Sequence, residues 1–168
     1  MNPSLLSSKK MDYCTPQDFF DKLDREFHFV LDAAATKKSA KCRRYYTPAD
    51  NGLEMPWSCA GGAVFCNPPY GRETGKWVRK AWEEAQKGTT IVLLIPARTD
   101  TTYFHNFIYG QAEIRFVRGR LRFTDEDGIP YQTAPFPSMV VIYNRRSKQH
   151  EDQEDCGALQ PGRNIPTV

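Results

Sequence analysis

Ala63-Val64-Phe65-Cys66-Asn67-Pro68-Pro69-Tyr70-Gly71 is the stretch that decides the fold. Four apolar residues bounded by breakers read as a short buried strand, and a polar, aromatic tetrapeptide follows directly at its C-terminal end. Open α/β sheets bind ligands at that end of their strands. Pro68 and Pro69 fix φ at about −65° and remove two backbone donors, so their carbonyls have no ladder partners. The Asn67 side-chain oxygen and the Pro68 carbonyl then make an acceptor pair suited to an –NH2 group, and Tyr70 offers a ring face for a planar partner. Read as loop punctuation alone, Asn-Pro-Pro-Tyr is a turn leaving a strand.

Working outward, the elements alternate. Phe19, Phe20, Leu23 and Phe27 recur at helical spacing after Thr15, a candidate N-cap, and Pro16, suited to a first turn. Phe29 to Asp32 reads as a first strand ending in a carboxylate. Residues 36 to 57 lack periodicity and carry Pro48, Asn51-Gly52 and Pro56, so they read as a long connection with one short helix near Lys38 to Arg44. Thr74 to Lys87 is helical, with Trp77, Val78, Ala81, Trp82 and Ala85 on one face and Gly88 as its stop. Thr90 to Ile95 is an apolar, β-branched run of the kind found in a central parallel strand. Thr101 to Ile108 reads as helical, Ala112 to Val117 and Leu121 to Phe123 as extended, and Ser138 to Tyr143 as the last strand. Strands alternating with helices predict a compact Rossmann-like α/β domain over residues 12–144, with three α/β/α layers and a mostly parallel sheet. Residues 1–11 read as a flexible leader and 145–168 as a polar, disordered tail.

Composition narrows the classes. A chain of 168 residues with 40% hydrophobic and 26% charged residues describes one soluble globular domain. The longest apolar run, Ile91 to Ala97, is far short of the roughly 18 residues that span a bilayer. No apolar segment near Met1 marks secretion, so a cytoplasmic protein with no membrane partner is expected. The five cysteines form no C-x-x-C pair and read as free thiols, with no metal site. Net charge is +3, and its distribution says more than its size. Lys37, Lys38, Lys41, Arg43 and Arg44 crowd one stretch, and Arg115, Arg118, Arg120 and Arg122 another.

Several constellations bear on chemistry. Asp32 is followed by Ala33-Ala34-Ala35, small residues that let the backbone approach a ligand while the carboxylate accepts its hydrogen bond; it is equally placed to cap the following turn. If residues 118 to 123 are extended, Arg118, Arg120 and Arg122 share one face while Leu121 and Phe123 share the other. Such a ribbon tracks phosphates or, alternatively, guards a sheet edge with charge. Arg98 leaves the strongest strand on the same sheet edge as Asn67, where it can hold a phosphate. The Lys37 to Arg44 stretch suits a solvated helix face. For an amine held by Asn67 and Pro68, the chemical task is methylation of an exocyclic nucleobase amine. That lone pair is delocalised into the ring, and acceptors on its two hydrogens favour the pyramidal, nucleophilic nitrogen.

With these residues the chain resembles amino-methyltransferases carrying (Asp/Asn/Ser)-Pro-Pro-(Tyr/Phe/Trp), and within them the short phage-type DNA N-6-adenine methyltransferases. The resemblance spans residues 12 to 143. It implies S-adenosyl-L-methionine as cofactor, double-stranded DNA as substrate with no obligatory protein partner, and transfer to the 6-amino group of a flipped adenine. It assigns Asn67, Pro68, Pro69 and Tyr70 to catalysis, and Asp32, Ala33 and Ala34 to the cofactor. Tyr13 and Thr15 match the family's Tyr-x-Thr-Pro segment at the cofactor pocket, and Asp50-Asn51-Gly52-Leu53 its Asp-Gly-Leu stretch, where Asp50 would meet the adenosyl part. Asp50-Asn51-Gly52 is also an ordinary turn. The Gly-Arg-Leu-x-Phe pattern adds weight to Arg120 among the DNA contacts Arg98, Arg118, Arg120 and Arg122. The chain departs from the family after Asp32, where many members have proline or glycine. Cytosine, RNA or a protein glutamine remain alternative acceptors, as does a non-catalytic relative that binds cofactor or DNA.

Overall fold

In the computed structural model, which describes residues 13–144, one sheet is built from β1 Phe29–Asp32, β2 Arg44–Tyr45, β3 Ala63–Cys66, β4 Ile91–Pro96, β5 Glu113–Phe116 and β6 Ser138–Tyr143. Two α-helices accompany it, α1 Gln17–Phe27 and α2 Thr74–Gln86. The spatial order is β2-β1-β3-β4-β6-β5. The first four strands of that order are parallel neighbours, whereas β6 runs antiparallel to both β4 and β5. The sheet is therefore mixed, and the parallel arrangement expected from the sequence holds only across those four. The leader 1–11 and the tail 145–168 lie outside the described residues.

The apolar runs become the interior strands because only strands covered on both faces can bury every side chain. Each residue of β3, β4 and β6 is buried. Alternation then divides them between two cores. Val64, Cys66, Ile91, Leu93, Ile95, Met139 and Val141 pack with Trp77, Val78 and Ala81 of α2. Phe65, Val92, Leu94, Val140 and Ile142 pack on the opposite face with Phe20 and Leu23 of α1 and with Phe123, Ala134 and Phe136.

Several local readings need correction. The N-cap of α1 is Pro16, not Thr15: Pro16 is extended (ψ 138°), no side chain caps the helix, and the Pro16 carbonyl accepts the Phe20 N–H. The helix ends where His28 turns left-handed (φ 54°), with Asp24 accepting from His28 N–H through its carbonyl and from Phe29 N–H through its carboxylate. The basic stretch Lys38 to Arg44 is no helix. Residues 37–39 form a turn and Arg44–Tyr45 extends beside β1. The segment Thr101 to Ile108 coils as expected from Thr102 onward, but Phe104–Ile108 is a π-helical turn, closed by Tyr109 N–H on the Phe104 carbonyl. Leu121 to Phe123 is not a sheet strand. Residues 121–134 form an arm whose two limbs pair through Tyr131 N–H to the Phe123 carbonyl and Ala134 N–H to the Leu121 carbonyl.

The aperiodic connection is held by buried groups rather than by its own regularity. Glu84 of α2, 1% exposed, accepts the backbone N–H of Trp57 and Ser58 on one oxygen and the Lys80 and Lys87 ammonium groups on the other. Burial alone would raise its pKa, but the lysines and the Ser58 amide win and hold it at about 2. Trp57, fully buried, donates its indole N–H to the Gly52 carbonyl at 2.8 Å. Gly52 lies so close to the loop after β1 that a Cβ there would sit 2.3 Å from the Ala33 carbonyl oxygen.

Topology brings the polar loops to one place. The C-terminal ends of β1, β3 and β4 share an edge with the start of β6, where Pro96 faces Ser138, and with the end of β5, where Phe116 faces Met139. Residues 33–35, 67–71, 97–98 and both ends of the segment 117–137 therefore emerge together.

Replacing Glu84 with alanine strands two amide donors and two ammonium groups, and should destabilise the protein by about 3 kcal/mol in urea melts. Because its folded pKa is depressed below 4.5, its contribution is present above that value and fades as pH falls through about 2. Gly52→Ala should cost about 1–3 kcal/mol in the same assay by overpacking against backbone that cannot rotate away.

Candidate functional site

Asn67 is the first residue past β3, and both ends of its amide are engaged. Its Nδ2 donates to the Tyr13 carbonyl at 2.6 Å, and its Oδ1 accepts the Tyr70 hydroxyl at 2.7 Å. The same hydroxyl lies 3.3 Å from the Leu94 carbonyl of β4. Thr74, the first residue of α2, closes the turn below: its hydroxyl donates to the Pro69 carbonyl and accepts the Gly71 N–H. Pro69 thus loses the open carbonyl expected of it, whereas the buried Pro68 accepts no hydrogen bond from any described residue.

Around this turn lies an aromatic box. The Tyr13 and Tyr70 rings stack with centroids 5.4 Å apart at 26°, and Phe123 and Phe136 present edges to both. Tyr131 packs edge-on against Tyr13. Tyr13 is carried there by Cys14, which exchanges two 3.0 Å backbone hydrogen bonds with Thr124 of the arm. Burial pushes the Tyr70 hydroxyl well above its ordinary pKa, with Cys66 and Tyr13 adding to the effect, so it stays protonated as a donor. Tyr70 is therefore not the bare platform expected from the sequence. Inserting a planar group between the two rings needs a gap of about 7 Å, twice a van der Waals contact, so the rings must part first.

Asp32, 2% exposed at the end of β1, accepts only backbone donors: Lys41 N–H at 3.0 Å on one oxygen and Ala34 N–H at 3.4 Å on the other. It forms no ion pair among the described residues. Burial pushes its pKa up to about 7 despite those two amides and the Lys41 charge. The long bond leaves acceptor capacity on the Ala34 side, where the loop side chains are methyl groups. That donor set fits a ligand carrying N–H or O–H donors and positive charge. Ala33 is buried and Ala34 half-buried beside it, and Thr15 is 2% exposed at the root of the Tyr13 segment.

The remaining candidates are exposed. Asp50 accepts the Thr47 N–H and hydroxyl, so it caps its own turn, and these bonds hold its pKa below the ordinary value. The turn reaches the Asp32 loop only through Gly52 against Ala33. Arg98 stands just past β4 on the edge that bears Asn67. Arg118, Arg120 and Arg122 are exposed and form no ion pair among the described residues, while Leu121 and Phe123 pack inward, so the alternation of sides is seen over residues 120–123. A turn at Gly119 (φ 75°) breaks the straight ribbon between Arg118 and Arg120. Arg115 is different. It clamps Glu26 with two bonds of 2.7 and 2.8 Å, pairs with Glu113, and lies over the Phe27 ring, so its role is to tie β5 to α1.

Sequence reasoning missed the box partners Phe123, Tyr131 and Phe136, and the part played by the Tyr13 backbone. The signal available was a high density of aromatics in an aperiodic segment. A cleft of about 590 Å³ opens at the opposite sheet edge, lined among others by Gly61, Gly62, Lys87 and Thr90, and no candidate residue borders it. Among the described residues no helix is long and apolar enough to cross a membrane, and no cluster of three His, Cys, Asp or Glu is placed to hold a metal.

Comparison with known proteins bears on this geometry. Residues 3–155 match the model of the family described as DNA N-6-adenine-methyltransferase (Dam). A DNA N-6-adenine-methyltransferase of Escherichia phage T1 is 31% identical over 120 residues, 71% of this chain and 49% of that protein. One of Haemophilus phage HP1 is 25% identical over 148 residues, 84% of each chain. The chain thus spans about half the length of the first of these relatives.

Asp32 generates a pH dependence whose sign is fixed by its raised pKa. Its contribution to stability is complete below 3.8 and is lost as pH rises to about 7. The loss is up to about 4 kcal/mol at about 1.4 kcal/mol per unit. Asp32→Asn should flatten the melting temperature of the unliganded protein across that window.

Proposed function

From the premise that the chain belongs to the DNA N-6-adenine-methyltransferase family, we propose that it methylates the 6-amino group of adenine in double-stranded DNA, on a Rossmann-like three-layer methyltransferase fold. The observation that carries this reading is the Tyr70 hydroxyl on Asn67 Oδ1. An O–H donor already occupies the acceptor that an amine hydrogen would use, at the sheet edge where ligands bind.

The residues divide the work. Asn67 Oδ1 and the Pro68 carbonyl accept the two amine hydrogens, which localises the lone pair on nitrogen. Tyr70, parted from Tyr13, stacks on the base and fixes its plane. The target base leaves the duplex at a cost of a few kcal/mol, offset by stacking in the aromatic box. Asp32 and the small loop Ala33–Ala34, with Tyr13 and Thr15 across the turn, would hold the cofactor, S-adenosyl-L-methionine, and Asp50, whose turn reaches that loop through Gly52, would assist with its adenosyl part. When bound, the cofactor supplies an electrophilic methyl group on a sulfonium. Beside the positive charge of a bound cofactor the Asp32 carboxyl would release its proton to solvent and stand as a carboxylate. No strong base is required at the tetrapeptide, because the methylated amine is acidic and sheds its proton to water. The protein's share is positioning and electrostatics. Arg98, Arg118, Arg120 and Arg122 lie along phosphates and supply affinity rather than sequence readout. The reaction takes place in the cytoplasm, where DNA is accessible.

Purified protein incubated with labelled cofactor and separate DNA, RNA and protein pools should label DNA alone, on adenine. Asn67→Ala and Tyr70→Ala should each lower the rate at least a hundredfold while circular dichroism shows the fold retained at a lowered melting temperature, and Tyr70→Phe, which keeps the ring, stays within about tenfold. Label confined to RNA, protein or cytosine would replace adenine as the acceptor; full activity of Asn67→Ala would overturn the mechanism. For the arginines, the triple alanine variant at 118, 120 and 122 should lower the slope of log K against log salt by up to about 3, roughly one per phosphate contact, in fluorescence anisotropy with duplex DNA.

A further inference from the structure

Asparagine's amide has an acceptor end and a donor end of nearly the same shape, and only one of them can serve an incoming amine. Tyr70 does not by itself decide which end faces it, because a phenol hydroxyl can donate or accept. The Tyr13 carbonyl does decide. It can only accept, and it lies 2.6 Å from the nearer end of the Asn67 amide. Oxygen at that end would place two acceptors in contact with no proton between them. Nitrogen is therefore held toward Tyr13 and oxygen toward Tyr70. The carbonyl is itself fixed, since Cys14 is bonded both ways to Thr124 and the Tyr13 ring is wedged among Tyr70, Phe123 and Phe136.

We infer that the main-chain carbonyl of Tyr13 is a positioning group that sets the polarity of the Asn67 amide, and that it makes asparagine rather than aspartate the residue this chain requires at position 67. The inference rests on the amine-methylating reading for its kinetic consequence, but the orientation stands independently of it. An ionised aspartate at 67 would point one carboxylate oxygen at the Tyr13 carbonyl. A protonated one would donate its O–H there and present its C=O where Asn67 Oδ1 now stands. Aspartate can replace asparagine only while it carries a proton. The titratable groups around the site are the phenols of Tyr13, Tyr70 and Tyr131, the Cys66 thiol, and the Asp32 carboxyl at the neighbouring strand end, and all five are common to both proteins. The ratio of variant to parent activity therefore isolates position 67.

Two measurements test this. In the first, Asn67→Asp should retain less than about one hundredth of the parent rate at pH 8, and the ratio should rise at least tenfold between pH 8 and pH 6. A ratio that is flat across this range, or near one at pH 8, overturns the inference. In the second, the side-chain amide protons of Asn67, assigned by their absence from the NMR spectrum of Asn67→Asp, should exchange at least tenfold more slowly than those of the exposed Asn51. Exchange as fast as that of Asn51 overturns it whatever the activity. Should the parent protein methylate no amine, the proposed function fails while the exchange measurement still decides the orientation.

Discussion

One side-chain amide joins the separate parts of the site. Asn67 bonds the N-terminal segment through the Tyr13 carbonyl and the tetrapeptide's own ring through the Tyr70 hydroxyl, which also leans on Leu94 of the central strand. Because Cys14 is paired with Thr124, the same bond couples the turn after β3 to the arm that bears Arg122. Short, partly buried hydrogen bonds of this kind are costly to leave unmade, so the turn, the N-terminal segment and the arm share one geometry. The stacked tyrosines hold that geometry closed, and under the proposed mechanism a substrate amine takes the place of the Tyr70 hydroxyl.

The two buried carboxylates are treated in opposite ways by the fold. Glu84 meets two ammonium groups and two amides, and its pKa falls to about 2 despite burial. Asp32 meets two amides and no paired cation, and its pKa rises to about 7. The first is a finished interaction that anchors the loop 53–60. The second leaves an electrostatic deficit at the ligand-binding edge of the sheet, which positive charge on a bound molecule would relieve.

The interior of the fold was legible because its strands are apolar runs of the right length. β3, β4 and β6 announce themselves, as does the Trp77–Val78–Ala81 face of α2. The direction of β6 was not legible, since an apolar run buries equally well in either sense. Residues 36–60 resisted reading because they are ordered by distant partners: Glu84 on Trp57 and Ser58, Ala33 against Gly52, Asp32 on Lys41. The arginine cluster misled in part. Only contact with Glu26 and Glu113 separates Arg115 from its exposed neighbours. At the site, the acceptor and the ring of Asn-Pro-Pro-Tyr are named by residue type, but the capped oxygen of Asn67 depends on where the Tyr13 backbone falls, and backbone position leaves no mark in composition.

The central claim, that Asn67 presents an acceptor to an adenine amine, is tested most directly by nucleoside mass spectrometry of DNA from cells expressing the protein or its Asn67→Ala variant in a host lacking adenine methylation. The account predicts N6-methyladenine with the parent protein and none with the variant. Equal methylation by both, or methylation of cytosine instead of adenine, would contradict it.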